Sequence, residues 1–86
     1  METLLLKQAE TAKTKYPNHI VIVHLNNYYQ AFNEDANIVS ELCNTPLTQS
    51  KSGYDITGFS HKKLEEYMKI LIMKNGKSIA IVEYPT

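Results

Sequence analysis

The segment Leu25–Phe32, which reads LNNYYQAF, concentrates side chains that are well suited to contacting a ligand. Its adjacent tyrosines offer aromatic rings, and its asparagines and glutamine offer amides that both donate and accept hydrogen bonds. The same residues also fit a helix start, with Asn27 as the N-cap and Gln30 three positions later in a variant of the capping box. Taken alone, the pattern favours the helix start over an exposed binding tip.

The residue combinations typical of catalysis are absent from the sequence. There is no glycine-rich phosphate loop, nucleophile elbow or acid pair at recognisable spacing, and three glycines are too few for a Walker-type cradle. The sequence therefore excludes an ATPase and predicts a protein with no enzymatic activity and no cofactor. Because His19, His24 and His61 fall in different predicted elements, we do not expect a metal site.

Composition and charge predict one compact domain spanning residues 1–86. The chain is 43% hydrophobic and 21% charged, which suits a single modest core. Nine lysines and no arginine balance nine acidic residues, so no overall field draws the chain to nucleic acid, anionic lipid or acidic substrates. The single cysteine, Cys43, is predicted to be a small core residue and fits a reducing, cytoplasmic setting. No stretch resembles a signal peptide or is long enough to cross a bilayer.

Hydrophobic periodicity predicts a helix, a strand and a second helix in the first half of the chain. Apolar residues recur at helical spacing over about Glu2–Lys15, and Pro17 ends the pattern because proline disfavours helix at the preceding residue. His19–Leu25 is a β-branched run with apolar side chains on both faces, as in an interior strand covered on two sides. The next apolar stripe predicts a helix over about Tyr28–Cys43.

The second half predicts a hairpin, a third helix and a final strand. The runs TPLTQ and YDITGF flank the polar turn Ser50–Gly53 and form the hairpin. Ser60 caps the third helix, Asn75-Gly76 ends it, and Lys77–Tyr84 is the last strand. The predicted buried stripe of this helix comprises Leu64, Tyr67, Met68, Leu71 and Ile72. The predicted order is α-β-α-β-β-α-β, an α/β fold in which helices pack on a mixed β-sheet.

From Leu4 to about Pro85, the order of elements and the residues at their joints resemble the N-terminal mismatch-recognition domain (domain I) of the MutS DNA mismatch repair family. The family pattern has a helix ending in Tyr-Pro or His-Pro, an apolar strand, then Gly-Asp-Phe-Tyr-Glu-Leu-Phe before acidic residues and Ala. The corresponding stretch here reads KYPNHIVIVHLNNYYQAFNEDA. The likeness resumes at Leu47-Thr48, Gly58-Phe59, His61, Leu64 and Tyr67, and in the closing NGKSIAIVEY.

The resemblance implies a DNA-binding role for two residues of this chain. In the family, the Phe of a Phe-x-Glu element is wedged into a mispair from the minor groove and stacks on a base, and the Glu hydrogen-bonds that base. These positions fall on Tyr28 and Gln30. Lys51, Lys62 and Lys63 are candidate contacts to DNA phosphates. For any one of them, however, a solvated loop or a first helical turn is the favoured interpretation.

The expected function follows from this resemblance and from the length of the chain. A MutS protein also has connector, lever, clamp and ATPase domains, for which 86 residues leave no room. We therefore expect a stand-alone MutS N-terminal-like domain that binds mismatched or distorted double-stranded DNA weakly. The alternative is a protein-interaction domain that kept the fold, lost DNA binding and docks on a full-length MutS-type protein or on itself. Zero net charge favours the alternative, whereas an aromatic residue at the wedge position favours DNA binding.

Overall fold

The computed structural model describes residues 2–84, which form a five-stranded mixed sheet with helices on both faces. Its elements are α1 (Glu2–Lys15), β1 (Ile20–Leu25), β2 (Tyr28–Phe32), α2 (Asn33–Cys43), β3 (Leu47–Gln49), β4 (Asp55–Ser60), α3 (Leu64–Met68) and β5 (Ile79–Tyr84). A 3-10 turn, His61–Lys63, precedes α3, and a π-helical turn, Lys69–Lys74, follows it. The strand order is β3-β4-β2-β1-β5, with β5 parallel to β1 and the other neighbours antiparallel. The predicted α/β class with a mixed sheet is confirmed.

Strand β1 supplies the middle of two separate cores, one on each face of the sheet. Because successive side chains of a strand point to opposite faces, alternate residues of β1 enter different cores. The core beneath α2 and the segment around α3 contains Ile20, Ile22, Tyr29, Ala31, Ala36, Val39, Cys43, Phe59 and Leu71. The core beneath α1 contains Leu5, Ala9, Ala12, Val21, Val23, Phe32 and Ile56. The predicted interior strand covered on two sides is therefore confirmed.

The predicted second helix is wrong over its first five residues, 28–32, because these form β2. Strand β2 pairs antiparallel with both β1 and β4, and α2 begins only at Asn33. The predicted capping pair does not form, since Gln30 is paired with Val23 on one side and Gly58 on the other. The observed order of elements is accordingly α-β-β-α-β-β-α-β, with one strand more than predicted.

The other predicted elements are found close to their expected positions. Helix α1 has the predicted bounds, and β3 and β4 form the predicted hairpin around Ser50–Gly53. The hydroxyl of Ser60 caps the turn before α3 by accepting a hydrogen bond from the Lys62 N–H at 3.2 Å. Gly76 follows the π-helical turn with a φ of +63°, as expected of a residue that ends a helix. Strand β5 begins two residues later than predicted, at Ile79.

The prediction that Ile72 belongs to the buried stripe is wrong, because the helix changes its pitch. From Lys69 onward the chain takes π-helical geometry, in which hydrogen bonds span five residues instead of four. Each turn therefore contains more residues, and the side chains rotate relative to a regular α-helix. Leu71 remains fully buried, Ile70 packs against the core, and Ile72 is 46% exposed.

The predicted core position of Cys43 is confirmed. Its side chain is buried at the end of α2, and the residue that caps the helix, Asn44, has a positive φ of 60°. Burial raises the pKa of the Cys43 thiol, and the negative charge of Glu66 raises it further. The thiol is therefore kept in its neutral, unreactive form at physiological pH.

Between residues 2 and 84, no helix combines the length and apolar character needed to cross a membrane.

A buried carboxylate, Asp35, connects three elements of the fold. The N–H of Ile20 donates to Ser78 on the β5 side, so the next N–H along β1, that of Val21, points to the β2 side. There β2 no longer pairs with β1, because the described β1–β2 pairing ends at Val23, although β2 remains paired with β4. The Asp35 carboxylate replaces the missing strand by accepting this N–H at 3.1 Å.

Lys13 of α1 completes the same network. Its ammonium group donates to both carboxylate oxygens of Asp35, at 2.9 and 3.1 Å, and to the carbonyl of His19 at 2.6 Å. Asp35 is only 7% exposed, so its charge is held by these donors and not by water. The end of α1, the start of β1 and the first turn of α2 are thereby fixed to one another.

We predict that Asp35→Ala destabilises the protein by about 1–3 kcal/mol, because it leaves the buried N–H of Val21 without an acceptor. Urea denaturation followed by circular dichroism would measure the loss. Glu34→Ala is the matched control, since Glu34 is the preceding acidic residue in the same first turn and is exposed. Equal, small effects of the two substitutions would contradict a structural role for Asp35.

Candidate functional site

The face of the sheet that packs against α1 is only partly covered. Phe32 of β2 lies in the core beneath α1, and strand alternation places Tyr28 and Gln30 on the same face. Helix α1 does not bury them, since Tyr28 is 47% exposed and Gln30 is half-buried. The pairing of β2 with β4 brings Gly58 and Ser60 beside them. We refer to the area formed by these four residues, Tyr28, Gln30, Gly58 and Ser60, as the open face.

A two-residue turn holds Tyr28 at the start of β2. Leu25 and Tyr28 are paired across the turn, and Asn26 has a φ of 56°, the positive value that tight hairpin turns require at their first position. Asparagine is one of the few residues that adopt this conformation readily. The carbonyl of Asn27 accepts a hydrogen bond of 2.9 Å from the His61 N–H. The turn is thereby tied to the end of β4.

The ring of Tyr28 occupies the space left by the absent side chain of Gly58. A Cβ atom on Gly58 would lie 2.5 Å from Cε2 and 3.0 Å from Cζ of Tyr28, both shorter than normal contacts. It would also lie 3.0 Å from the carbonyl oxygen of Tyr29. Part of the tyrosine ring therefore lies against Gly58 of β4, and the side chain remains partly exposed to solvent.

A small cleft opens beside Tyr28 and Gln30. It has a volume of about 130 Å³ and lies above β4, between β2 and the start of β3. Its lining residues are Tyr28, Gln30, Pro46, Thr48, Ile56, Thr57 and Gly58. Among the hydrogen bonds of residues 2–84, none involves the Gln30 side chain, so its amide is available to a ligand.

The three candidate phosphate-binding lysines lie at two different ends of β4. Lys62 and Lys63 follow Ser60, the residue paired with Tyr28, so they lie at the same end as the aromatic ring. The Lys63 ammonium is 3.7 Å from the Glu66 carboxylate, an exposed pair that contributes little stability. Lys51 lies in the β3–β4 turn, at the opposite end of β4. The structure thus brings Lys62 and Lys63, but not Lys51, to the Tyr28 end of the sheet.

Hydrogen bonds at its base hold the hairpin that carries Lys51. The carboxylate of Asp55 accepts from the amides of Asn37 at 2.7 Å and Gln49 at 3.1 Å. These two donors hold the pKa of the Asp55 carboxyl below its usual value. The hairpin is therefore anchored to α2 as well as paired with β2.

The three histidines are not brought together at the open face. His24 points to the opposite face of the sheet, where its ring stacks on Tyr29 at a centroid distance of 4.3 Å and its Nδ1 lies 2.7 Å from the Glu83 carboxylate. His19 contacts Tyr16, with ring centroids 5.3 Å apart, and His61 lies in the turn after β4. The described part of the chain contains no group of three His, Cys, Asp or Glu residues that could hold a metal ion.

Sequence reasoning missed the part that Gly58 and the cleft residues Pro46 and Thr48 play in shaping the site. The signal that could have revealed them was the Asn26-Asn27 pair between two β-prone runs, a composition typical of hairpin turns. Interpreting that pair as a hairpin turn would have led to the prediction of a strand over Tyr28–Phe32. It would also have placed Tyr28 and Gln30 on one face, next to β4.

Comparison with known proteins assigns the fold to a described family. A family model of MutS domain I matches residues 3–85. DNA mismatch repair proteins MutS from three bacteria are similar to the chain: it is 32% identical to that of Porphyromonas gingivalis over 96% of its length, 35% identical to that of Thermosipho melanesiensis over 94%, and 33% identical to that of Flavobacterium johnsoniae over 95%. In each case the chain spans about 10% of the relative's length.

We predict that Gly58→Ala displaces the Tyr28 ring and destabilises the protein by about 1–3 kcal/mol, the usual cost of inserting a methyl group where there is no space. In a double-mutant cycle, the same substitution should cost less when Tyr28 is already alanine, because two of the three close contacts disappear. Urea denaturation of the four proteins measures the coupling. A cost of Gly58→Ala that is identical in both backgrounds would show that the ring does not lie over Gly58.

Proposed function

This chain belongs to the MutS domain I family, and from that membership we propose that it binds mismatched or distorted double-stranded DNA through the open face. The relatives are named DNA mismatch repair proteins, and this chain corresponds to only about a tenth of each. The proposal therefore concerns DNA contact and not repair as a whole. Binding is expected to be weak and to involve no catalysis.

The observation that carries the proposal is the exposure of Tyr28. An aromatic side chain that is 47% exposed on an uncovered sheet face is free to stack on a base. Stacking of a base on an aromatic ring is worth roughly 1–3 kcal/mol. The tyrosine hydroxyl must find water or a polar partner inside the stack, because an unsatisfied hydroxyl costs about 1–3 kcal/mol. Tyr28 therefore acts as the wedge, with its hydroxyl at a hydrated edge of the distorted site.

Gln30 has the position and the chemistry for a contact to a base edge. It lies two residues from Tyr28 on the same face, and its amide can both donate and accept. Unlike the glutamate of the family pattern, a neutral amide is not repelled by nearby phosphates. We therefore expect Gln30 to preserve general DNA affinity while reducing the discrimination between mismatched and matched duplexes.

The lysines supply the contacts to phosphates that fix a duplex on the open face. Lys62 and Lys63 lie beside the Tyr28 end of β4, and Lys51 would reach phosphates further along the duplex. With three candidate contacts and no net charge on the chain, the electrostatic part of the affinity is small. It should also fall as salt rises, since counterion release drives such contacts.

A second candidate function is docking on a protein, such as a full-length MutS-type protein. It is favoured by an apolar strip on the segment that includes α3, where Leu64 and Met68 are continued by Ile72 and Met73. Met73 is 78% exposed and Ile72 is 46% exposed, values that are high for large apolar side chains. The zero net charge of the chain also suits a protein partner better than DNA.

We predict that Tyr28→Ala weakens binding to a mismatched duplex by about tenfold, because it removes the stacking surface. Fluorescence anisotropy with matched, mismatched and single-base-bulged duplexes, at low and at physiological salt, measures the effect. Tyr16→Ala is a matched control, since Tyr16 is also 47% exposed but follows α1, away from the open face. Equal effects of the two substitutions would remove Tyr28 from the site. Absence of binding to every duplex at low salt would favour protein docking instead.

We predict that Gln30→Glu raises the preference for a mismatched over a matched duplex several-fold, chiefly by weakening binding to the matched one. The physical reason is that a carboxylate is repelled by the phosphates of regular DNA, whereas the neutral amide is not. The same anisotropy titrations measure the ratio of the two dissociation constants. Gln8→Glu adds the same charge on α1 and serves as the control. An unchanged ratio in Gln30→Glu would contradict the assigned role.

A further inference from the structure

The two edge strands of the sheet, β3 and β5, differ in how they are protected from pairing with another chain. Strand β3 has only three residues and follows Pro46. Strand β5 has six residues, IAIVEY, without proline, glycine or lysine, and its register with β1 continues without a bulge. Short strands, prolines, lysines and bulges are the usual means of protecting an edge. Among residues 2–84, no strand lies on the outer side of β5, which lacks all of these devices.

The register with β1 determines which backbone groups of β5 point outwards. The N–H of Ile20, which is paired with Ile79, donates to the carbonyl of Ser78 at 2.8 Å. In a parallel pair this pattern directs the backbone groups of the even-numbered residues of β5 to β1. Those of Ile79, Ile81 and Glu83 therefore point away from the sheet, with an N–H and a carbonyl from each residue.

Exposed apolar side chains lie beside these outward-pointing groups on both faces of the sheet. Ile81, the middle residue of the three, is 43% exposed and lies on the face of α3, since its partner Ile22 belongs to that core. On the other face, Leu4 of α1 is 53% exposed. A hollow of about 290 Å³ there is lined by Leu4, Lys7, Gln8, Thr11 and Tyr84. A strand added to this edge would cover apolar surface as well as form hydrogen bonds.

A second copy of β5 matches this edge in antiparallel orientation. Pairing centred on Ile81 places Ile81 opposite its own counterpart and Ile79 opposite Glu83 of the other copy. All three outward-pointing residues then belong to hydrogen-bonded pairs, each of which exchanges two N–H···O bonds. The exposed Ile81 side chains meet on the same face, and no like charges lie directly opposite each other.

The charges of the chain also favour a second copy as the occupant of the edge. Lys77 precedes β5, and Glu83 lies near its end. Antiparallel pairing therefore brings the basic end of one edge towards the acidic end of the other. Because the chain has no net charge, two copies do not repel each other as they approach.

We infer that the outer edge of β5 is a self-association surface, at which two copies pair antiparallel about a two-fold axis through Ile81. The two five-stranded sheets then form one continuous sheet. The inference goes beyond the proposed function and does not depend on it. Strand β1 separates β5 from β2, so the open face remains uncovered in both copies.

The first test is the mass of the full chain in solution, measured by sedimentation from about 10 µM to about 1 mM, the range of weak association. We expect the mass to rise from that of one chain towards that of two. Ile81→Lys should raise the dissociation constant about tenfold or more, because it places like charges opposite each other and every change occurs twice in a two-fold interface. Ile72→Lys is the matched control, since Ile72 is 46% exposed but lies outside β5.

A charge-swap experiment tests the register of the pairing. Ile81→Lys and Ile81→Glu should each remain monomeric alone, whereas their equimolar mixture should form dimers, because opposite charges then face each other across the axis. Rescue in the mixture also shows that both variants are folded. A mixture that stays monomeric while the unmodified chain dimerises would overturn the assigned register.

Hydrogen exchange measured by NMR distinguishes strand pairing from other modes of association. The N–H groups of Ile79, Ile81 and Glu83 should gain protection as the concentration rises, whereas that of Val82, directed to β1, should be protected throughout. A mass of one chain at every concentration would overturn the inference. Association without concentration-dependent protection of these groups would also overturn it, as would equal effects of Ile81→Lys and Ile72→Lys.

Discussion

The buried carboxylate of Asp35 is the interaction on which the arrangement of this sheet depends. Strand β2 pairs with β1 only at Val23, His24 and Leu25, so the N–H of buried Val21, which points to the same side, has no strand partner. Asp35 fills that gap, and Lys13 neutralises it from α1. The β1–β2 pairing can therefore end at Val23 without leaving the buried N–H of Val21 unsatisfied.

The sequence was sufficient to predict the fold class but not the element that carries the site. Helix α1, the β3–β4 hairpin and the interior position of β1 follow from patterns that extend over many residues or from distinctive turn composition. Strand β2 has five residues, too few to separate a period of two from a helical period. Asn27 and Gln30 also have the spacing of a capping pair, so local propensity pointed to a helix. In the structure, pairing with β1 on one side and β4 on the other makes this segment a strand instead of a helix.

The candidate site, like the fold, could be predicted only in part from the sequence. The resemblance to MutS domain I directed attention to Tyr28 and Gln30, and the structure places both on one uncovered face. The cleft beside them could not be foreseen, because its opposite wall comes from Pro46 and Thr48, which are separated from β2 by all of α2. The π-helical turn was equally inaccessible, since the pattern of apolar residues there is compatible with a regular helix. In both cases the missing information is the long-range geometry of the chain.

The parallel pairing of β5 with β1 has a consequence for the time course of folding. Paired residues such as His24 and Glu83 are 59 positions apart, so this contact closes most of the described chain into a single loop. Contacts of such high sequence separation form slowly, because the chain entropy of closure must be overcome before the strand pair contributes stability. During synthesis, the apolar residues of β1 would be present long before β5 emerges to cover its free edge. The nascent domain therefore passes through a period in which one edge of a strongly apolar strand is unpaired and must be shielded from other chains.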